Sequence, residues 1–227
     1  TYKEQGKYTE AESYYLRAWQ IWEQALGPEH LRVSDALNGL ANVYIEQGKY
    51  AEAEPLYLRA IRIREQQQGP EAVGVTYPLN GLGALYGEQG KYTEAEPLFQ
   101  RVLRILEKRF GRQTPGITIS LNNLGELYAK QGRYAEAESY YLRALHIREQ
   151  TLGPEHPQVA DTLNGLASLS QEQGKYEQAE PLYQRALSIR AQALGLQHPD
   201  TEETRGALTQ LSQTLRAKKP TGCATSM

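Results

Sequence analysis

The chain has 227 residues, 40% hydrophobic and 23% charged, with a formal net charge of −2, so it can build a packed core and carries no basic excess for nucleic acid or an anionic membrane. Its single cysteine, Cys223, excludes an intrachain disulfide framework and a cysteine zinc site, and favours a reducing compartment such as the cytoplasm. No run of about 18 apolar residues is present to span a membrane as a helix.

From Thr1 onward the chain repeats. The pentapeptide EQGKY occurs at 4–8, 46–50, 88–92 and 172–176, with KQGRY at 130–134. Two glycine series, Gly6 to Gly174 and Gly27 to Gly195, each step by 42 residues without a slip. Between glycines the apolar residues follow helical spacing, as in Leu37, Leu40, Ala41 and Tyr44. Each unit is therefore a pair of helices, A and B. In chain order the pattern predicts a lone helix B at 8–26, then helix A at 31–47 and helix B at 50–68, with equivalents every 42 residues. A polar closing helix at about 199–216 carries Leu208, Leu211 and Leu215 and reads as a cap. The expected domain is 1–217, followed by a disordered tail at 218–227.

Punctuation fits this reading. Gly27 and its equivalents suit a left-handed residue closing helix B. Pro115, Pro157 and Pro199 suit the first turn of helix A, whereas Pro55, Pro97 and Pro181 fall inside helix B and predict a late start or a bend. Pro78 predicts that helix A of the second repeat starts late, near Tyr77. Helix 8–26, with Tyr15, Trp19, Ile21 and Trp22, lacks a helix A and leaves an apolar face for a preceding repeat or a partner copy. The only methionine is Met227, so the chain reads as a piece of a longer or processed protein.

The recurring residues spell L-x2-L-[AG]-x2-Y followed by A-x3-[YF], as in Leu37, Leu40, Ala41, Tyr44, Ala53 and Tyr57. This resembles the tetratricopeptide repeat over residues 1–215. The 42-residue length, the lead-in His156, Pro157, Val159, Ala160 and the L-N-[GN]-L-[AG] core are similar to the kinesin-light-chain subclass, which bacterial multi-domain proteins also use. The resemblance implies an all-α, right-handed superhelical solenoid of antiparallel helix pairs, acting as a non-catalytic protein- or peptide-binding scaffold without a cofactor. A sensor region of a larger bacterial signalling NTPase is the second reading.

Residues suggesting chemistry have simpler explanations. The segment GALYGEQGKYT at 83–93 has Tyr92 where a phosphate loop needs Ser or Thr, and no strand precedes it. His30, His156 and His198 recur in inter-repeat loops, too far apart to converge on a metal. Arg17, Arg59, Arg101, Arg143 and Arg185 read as a solvated face pairing with upstream glutamates along the same helix.

The resemblance implies that helix A lines the binding groove, at positions 2, 5, 9, 12 and 13 counted with the first signature leucine as 4. Position 5 is Asn38, Asn80, Asn122 and Asn164, an expected asparagine ladder gripping a peptide main chain, with bridging between neighbouring A helices as the competing reading. Position 2 adds Tyr77 and Asp161, position 9 adds Asn42 and Glu126, and position 13 adds Glu46, Glu88, Lys130 and Glu172. Asn123 lies next to the ladder. Over all five positions seven acids face one base, which favours a neutral or basic partner and disfavours nucleic acid. Gly81, Gly83 and Gly87 leave a bare helix, with Tyr77, Asn80 and Gly87 expected to form a pocket near Asn122, Asn123 and Glu126.

Overall fold

The structure is a computed structural model that describes the backbone of residues 2–218 and the side chains of residues 7–217. All regular structure among the described residues is helical, arranged in two compact units, Thr1–Arg112 and Gln113–Met227. The first unit holds α1 (Tyr2–Leu26), α2 (Leu31–Glu46), α3 (Tyr50–Gln68), α4 (Thr76–Glu88) and α5 (Tyr92–Phe110). The second holds α6 (Thr118–Lys130), α7 (Tyr134–Leu152), α8 (Pro157–Glu172), α9 (Tyr176–Leu194) and α10 (Pro199–Lys218). Even-numbered helices are A helices; α1 and the other odd-numbered helices are B helices. The tail expected at 218–227 lies outside the described residues, apart from the backbone of Lys218.

EQGKY is a helix-reversal turn, built the same way four times. Gly48 takes φ 73, the left-handed region that glycine enters without a Cβ clash. Its N–H bonds Ile45 carbonyl at 2.8 Å, and Lys49 N–H reaches back to Tyr44 carbonyl at 2.8 Å, the paired bonds of a Schellman cap. Gly90, Gly132 and Gly174 repeat both bonds. The following cation is not simply solvated: Lys49, Lys91 and Arg133 lie over the rings of Tyr44, Tyr86 and Tyr128 at 5.1, 5.5 and 4.1 Å. Cation–π contact thus replaces the hydrophobic contact that usually completes the motif. The copy at 4–8 is helical instead, lying within α1.

The other glycine series departs from expectation in one dihedral. Gly69, Gly111, Gly153 and Gly195 have φ near 90 but ψ of 153–169. That extended positive-φ region is essentially glycine-only, a stricter requirement than a left-handed cap. How the next A helix starts depends on the histidine. His30 and His156 cap α2 and α8 by accepting at Nδ1 from the N–H of Arg32 and Gln158. Where Ala72 and Thr114 replace histidine, a 3-10 turn intervenes (Val73–Val75, Pro115–Ile117), and α4 and α6 begin three residues later. Pro115 therefore opens a 3-10 turn rather than an α-helix. Pro55, Pro97 and Pro181 do not delay their helices, which all begin at the tyrosine of the pentapeptide.

Packing is organised as B–A–B layers. One cluster joins Val33 and Leu37 of α2 to Ala60 and Ile63 of α3, with Trp19 and Trp22 of α1 against it. In the second unit Val159, Ala160 and Leu163 pack with Ala186 and Ile189, and Leu145 of α7 closes the layer. In α1, α3, α5 and α7 the aromatic residue of the B helix lies over a glycine of an A helix. A Cβ added at Gly165 would stand 2.5 Å from the Tyr141 ring and one at Gly125 2.9 Å from it, so Tyr141 fills the space between α6 and α8. Tyr57 covers Gly81 and Phe99 covers Gly83 in the same manner. The bare faces at Gly81 and Gly83 are thus filled by the protein's own rings, while Gly87 has nothing within 4 Å.

Arginine staples tie successive B helices together. Arg59 reaches Glu23 of α1 at 2.5 Å and Pro28 carbonyl at 3.2 Å; Arg101 reaches Glu65 and Pro70 carbonyl, both at 2.6 Å; Arg185 reaches Glu149 at 2.7 Å. These pairs join neighbouring repeats, correcting the expectation of pairing along one helix. The face of α1 is less covered than its register equivalents: Tyr15 is 38% and Ile21 50% exposed, against 0% for Tyr57 and Ile63.

The glycine–ring contact yields a paired expectation. Alanine in place of a helical glycine normally stabilises by about 1 kcal/mol. At Gly206 of α10, where nothing lies within 4 Å, Gly206→Ala should raise the thermal midpoint. At Gly165 the overpacking penalty of roughly 1–3 kcal/mol outweighs that gain, and Gly165→Ala should lower it. Equal shifts in thermal denaturation would contradict the packing described.

Candidate functional site

A groove of about 360 Å3 opens in the second unit between α6 and α8. It is lined by Asn122, Glu126 and Lys130 of α6, by Asp161, Asn164, Ser168 and Glu172 of α8, and by Tyr141 of α7. Six of the sequence-predicted residues therefore come together here: Asn122, Glu126, Lys130, Asp161, Asn164 and Glu172. Helical periodicity explains it, because positions 2, 5, 9 and 13 recur on one face at spacings of three and four residues. The gap between the helices is set by the Tyr141 ring under it. Burial, followed by the charges of Glu126 and Glu172, pushes the Tyr141 hydroxyl well above its usual pKa.

Beneath the asparagines runs a polar layer that links consecutive A helices. Asn122 bonds the Thr162 hydroxyl at 3.3 Å, and Asn164 Nδ2 donates to Thr204 Oγ1 at 3.0 Å. Each threonine is fully buried and meets an arginine from a B helix: Arg148 donates to Thr162 at 2.8 Å and Arg190 to Thr204 at 2.7 Å. Arg190 also donates to Asp200 carbonyl at 2.9 Å and to Asp161 Oδ1 at 2.9 Å. Asn122 and Asn164 thus bridge neighbouring A helices.

In the first unit the same register behaves differently. Asn38 and Asn80 are half-buried and their Oδ1 atoms, like that of Asn164, are buried with no partner, but unlike Asn164 neither side chain is hydrogen-bonded among the described residues. Asn42 instead accepts from the Tyr57 hydroxyl at 2.5 Å. Tyr77 is 63% exposed and lies under the Arg64 guanidinium, which also pairs with Asp35 and bonds Ser34 at 2.9 Å. Glu46 and Glu88 stand exposed near the ends of α2 and α4, Glu46 accepting from Tyr8 at 3.3 Å. Asn123 sits half-buried on α6, at the register of Gly39 and Gly165 and outside the groove lining.

Groove charge is smaller than a count over A helices suggests. Asp35 pairs with Arg64, Asp161 with Arg190, and Glu126 with Lys130 at 2.9 Å. The neutralising arginines lie on B helices, which a tally of A-helix residues omits. Sequence reasoning missed Arg64, Arg148 and Arg190, although they share one register on the 42-residue period. No cluster able to hold a metal occurs among the described residues, and no described helix is long and apolar enough to cross a membrane.

A family model described as "Tetratricopeptide repeat" matches residues 1–66, 33–108, 75–150, 116–192 and 158–218. This chain belongs to the tetratricopeptide repeat family. The fold of this tetratricopeptide repeat protein is shared with solved structures of kinesin-light-chain type. BtubC (BKLC) from P. vanneervenii has a TM-score of 0.77 at 20% identity, covering 92% of this chain and 84% of that one. A putative kinesin light chain with nearly identical TPR-like repeats from Podosopora anserina has a TM-score of 0.68 at 24% identity, covering 85% and 92%. A variant of the latter gives 0.70 at 25%, covering 84% and 90%. Identities this low establish the fold alone. A search of curated proteins finds no match.

The buried layer makes a stability expectation. Thr162→Val keeps the shape but removes the hydroxyl shared by Asn122 and Arg148, leaving buried donors unmet. Urea denaturation should show a loss of about 1–3 kcal/mol. An unchanged midpoint would mean that the layer is incidental.

Proposed function

We propose that this tetratricopeptide repeat protein is a non-catalytic scaffold that holds an extended protein or peptide segment against its A helices. The observation that carries this is the pair Asn38 and Asn80, whose buried Oδ1 atoms lack partners. A buried polar group left unsatisfied costs about 1–3 kcal/mol, so these two, with Asn164 Oδ1 as a third at the same register, favour a partner that supplies the bonds. An extended main chain offers alternating N–H and C=O groups that an amide can both accept from and donate to. In the second unit Asn122 and Asn164 hold the same register within a groove of their own, where the amides also bridge helices. The exposed carboxylates Glu46, Glu88 and Glu172 favour a neutral or basic segment. The general use of this repeat in protein binding points the same way.

The two kinds of asparagine give separable outcomes. On an array of short peptides graded in charge, Asn80→Ala should weaken capture at least tenfold with an unchanged thermal midpoint. Asn164→Ala, which loses the bond to Thr204, should lower stability by about 1 kcal/mol. A destabilised Asn80→Ala protein with undiminished capture would sink the ladder, and preferential capture of strongly acidic peptides would sink the assignment of partner charge.

A further inference from the structure

The last A helix leaves open a space that earlier A helices fill with a tyrosine. Tyr44, Tyr86 and Tyr128 hold one register of α2, α4 and α6, whereas α8 and α10 have Ser170 and Ser212 there. Tyr86 shows what the ring does. Its hydroxyl donates to Glu54 of the preceding B helix at 2.8 Å, and Lys91 lies over the ring at 5.5 Å. Burial, then the Glu54 bond, pushes that hydroxyl up to about 12, so it keeps its proton and donates. The register of Glu54 is glutamate in every B helix: Glu12, Glu54, Glu96, Glu138 and Glu180. Ser170 turns its hydroxyl back to Leu166 carbonyl at 2.9 Å. At Ser212 a cavity of about 340 Å3 opens between α9 and α10, lined by Glu177, Glu180, Ser212, Leu215 and Arg216.

Register explains the lining. Arg216 stands where Gly48, Gly90, Gly132 and Gly174 reverse the other A helices, so α10 runs on and brings Leu215 and a cation to the cavity. Glu180 Oε1 receives one long bond, from Gln184 at 3.5 Å. Glu177 and Arg216 make no hydrogen bond or ion pair among the described residues. No residue of this cavity lines the groove at Asn122 and Asn164. Acceptor, cation and room are therefore present, and the ring is missing. A phenol meets all three: its hydroxyl donates to a carboxylate, its face accepts a cation, and its carbons cover Leu215. A hydrocarbon ring leaves Glu180 unbonded, and an ammonium group meets Arg216 and leaves Leu215 bare. Residues 219–227 contain no aromatic side chain to fill the space. We propose that the cavity between α9 and α10 is a docking site for a tyrosine side chain of a partner protein, whose hydroxyl donates to Glu180 as Tyr86 donates to Glu54.

The probe is N-acetyltyrosinamide, with N-acetylphenylalaninamide and N-acetyllysinamide beside it. Each is titrated into the full chain while the backbone amide resonances of Ser212 and Leu215 are followed. The tyrosine probe should shift both and bind roughly fivefold more tightly than the phenylalanine probe, the difference being one hydrogen bond to a charged group. The lysine probe should move neither. Ser212→Tyr supplies the ring from the chain itself, so it should raise the thermal midpoint and weaken the tyrosine probe by about the same factor. Glu180→Ala should make the tyrosine and phenylalanine probes bind alike. Equal binding of those two probes by the wild type, a stronger response to the lysine probe, or undiminished binding by Ser212→Tyr would overturn the site. None of these outcomes touches the groove between the A helices, which shares no residue with it.

Discussion

The contact between a B-helix ring and an A-helix glycine is the constraint on which the rest depends. Tyr57 lies on Gly81, and Tyr141 lies between Gly125 and Gly165. A glycine inside a helix is unfavourable by about 1 kcal/mol against alanine. Burying a large side chain contributes roughly 1.5–3 kcal/mol, so the ring wins wherever the glycine lets it in. The ring then sets how far apart α6 and α8 stand, and with that the width of the groove above it. The floor of the site and the core of the repeat are one side chain.

Above that floor, polarity is managed from the back. Arg148 and Arg190 come from B helices, pass between A helices and end on Thr162 and Thr204, which in turn hold Asn122 and Asn164. The groove surface is therefore positioned by groups that are not on it. Asp161 and Arg190 neutralise one another for the same reason, so the electrostatics of the face cannot be counted from the residues that face it.

Much of the fold was legible because it is periodic. The 42-residue glycine steps located the helices, and the pentapeptide turn followed from the need for positive φ at Gly48. Local rules failed where the deciding partner lies in another repeat. Arg59 looked like a residue paired along its own helix but bonds Glu23, 36 positions away. His30, by contrast, acts locally, its ring Nδ1 capping α2, and Ala72 in its place moves the next helix start by a turn. Gly81 looked like open space for a ligand because the sequence does not say which ring fills it. Of the candidate site, six residues met in one groove as helical spacing required. The split of the asparagines into bridging and unpartnered copies depended on tertiary neighbours.

A tetratricopeptide repeat scaffold with this arrangement should place its ligand on one set of helices. Hydrogen exchange measured with and without a captured peptide tests that most directly. Added protection should concentrate in α2, α4, α6 and α8, with the segments around Asn80 and Asn122 most affected. Protection confined to the B helices α3, α5, α7 and α9 would contradict the account.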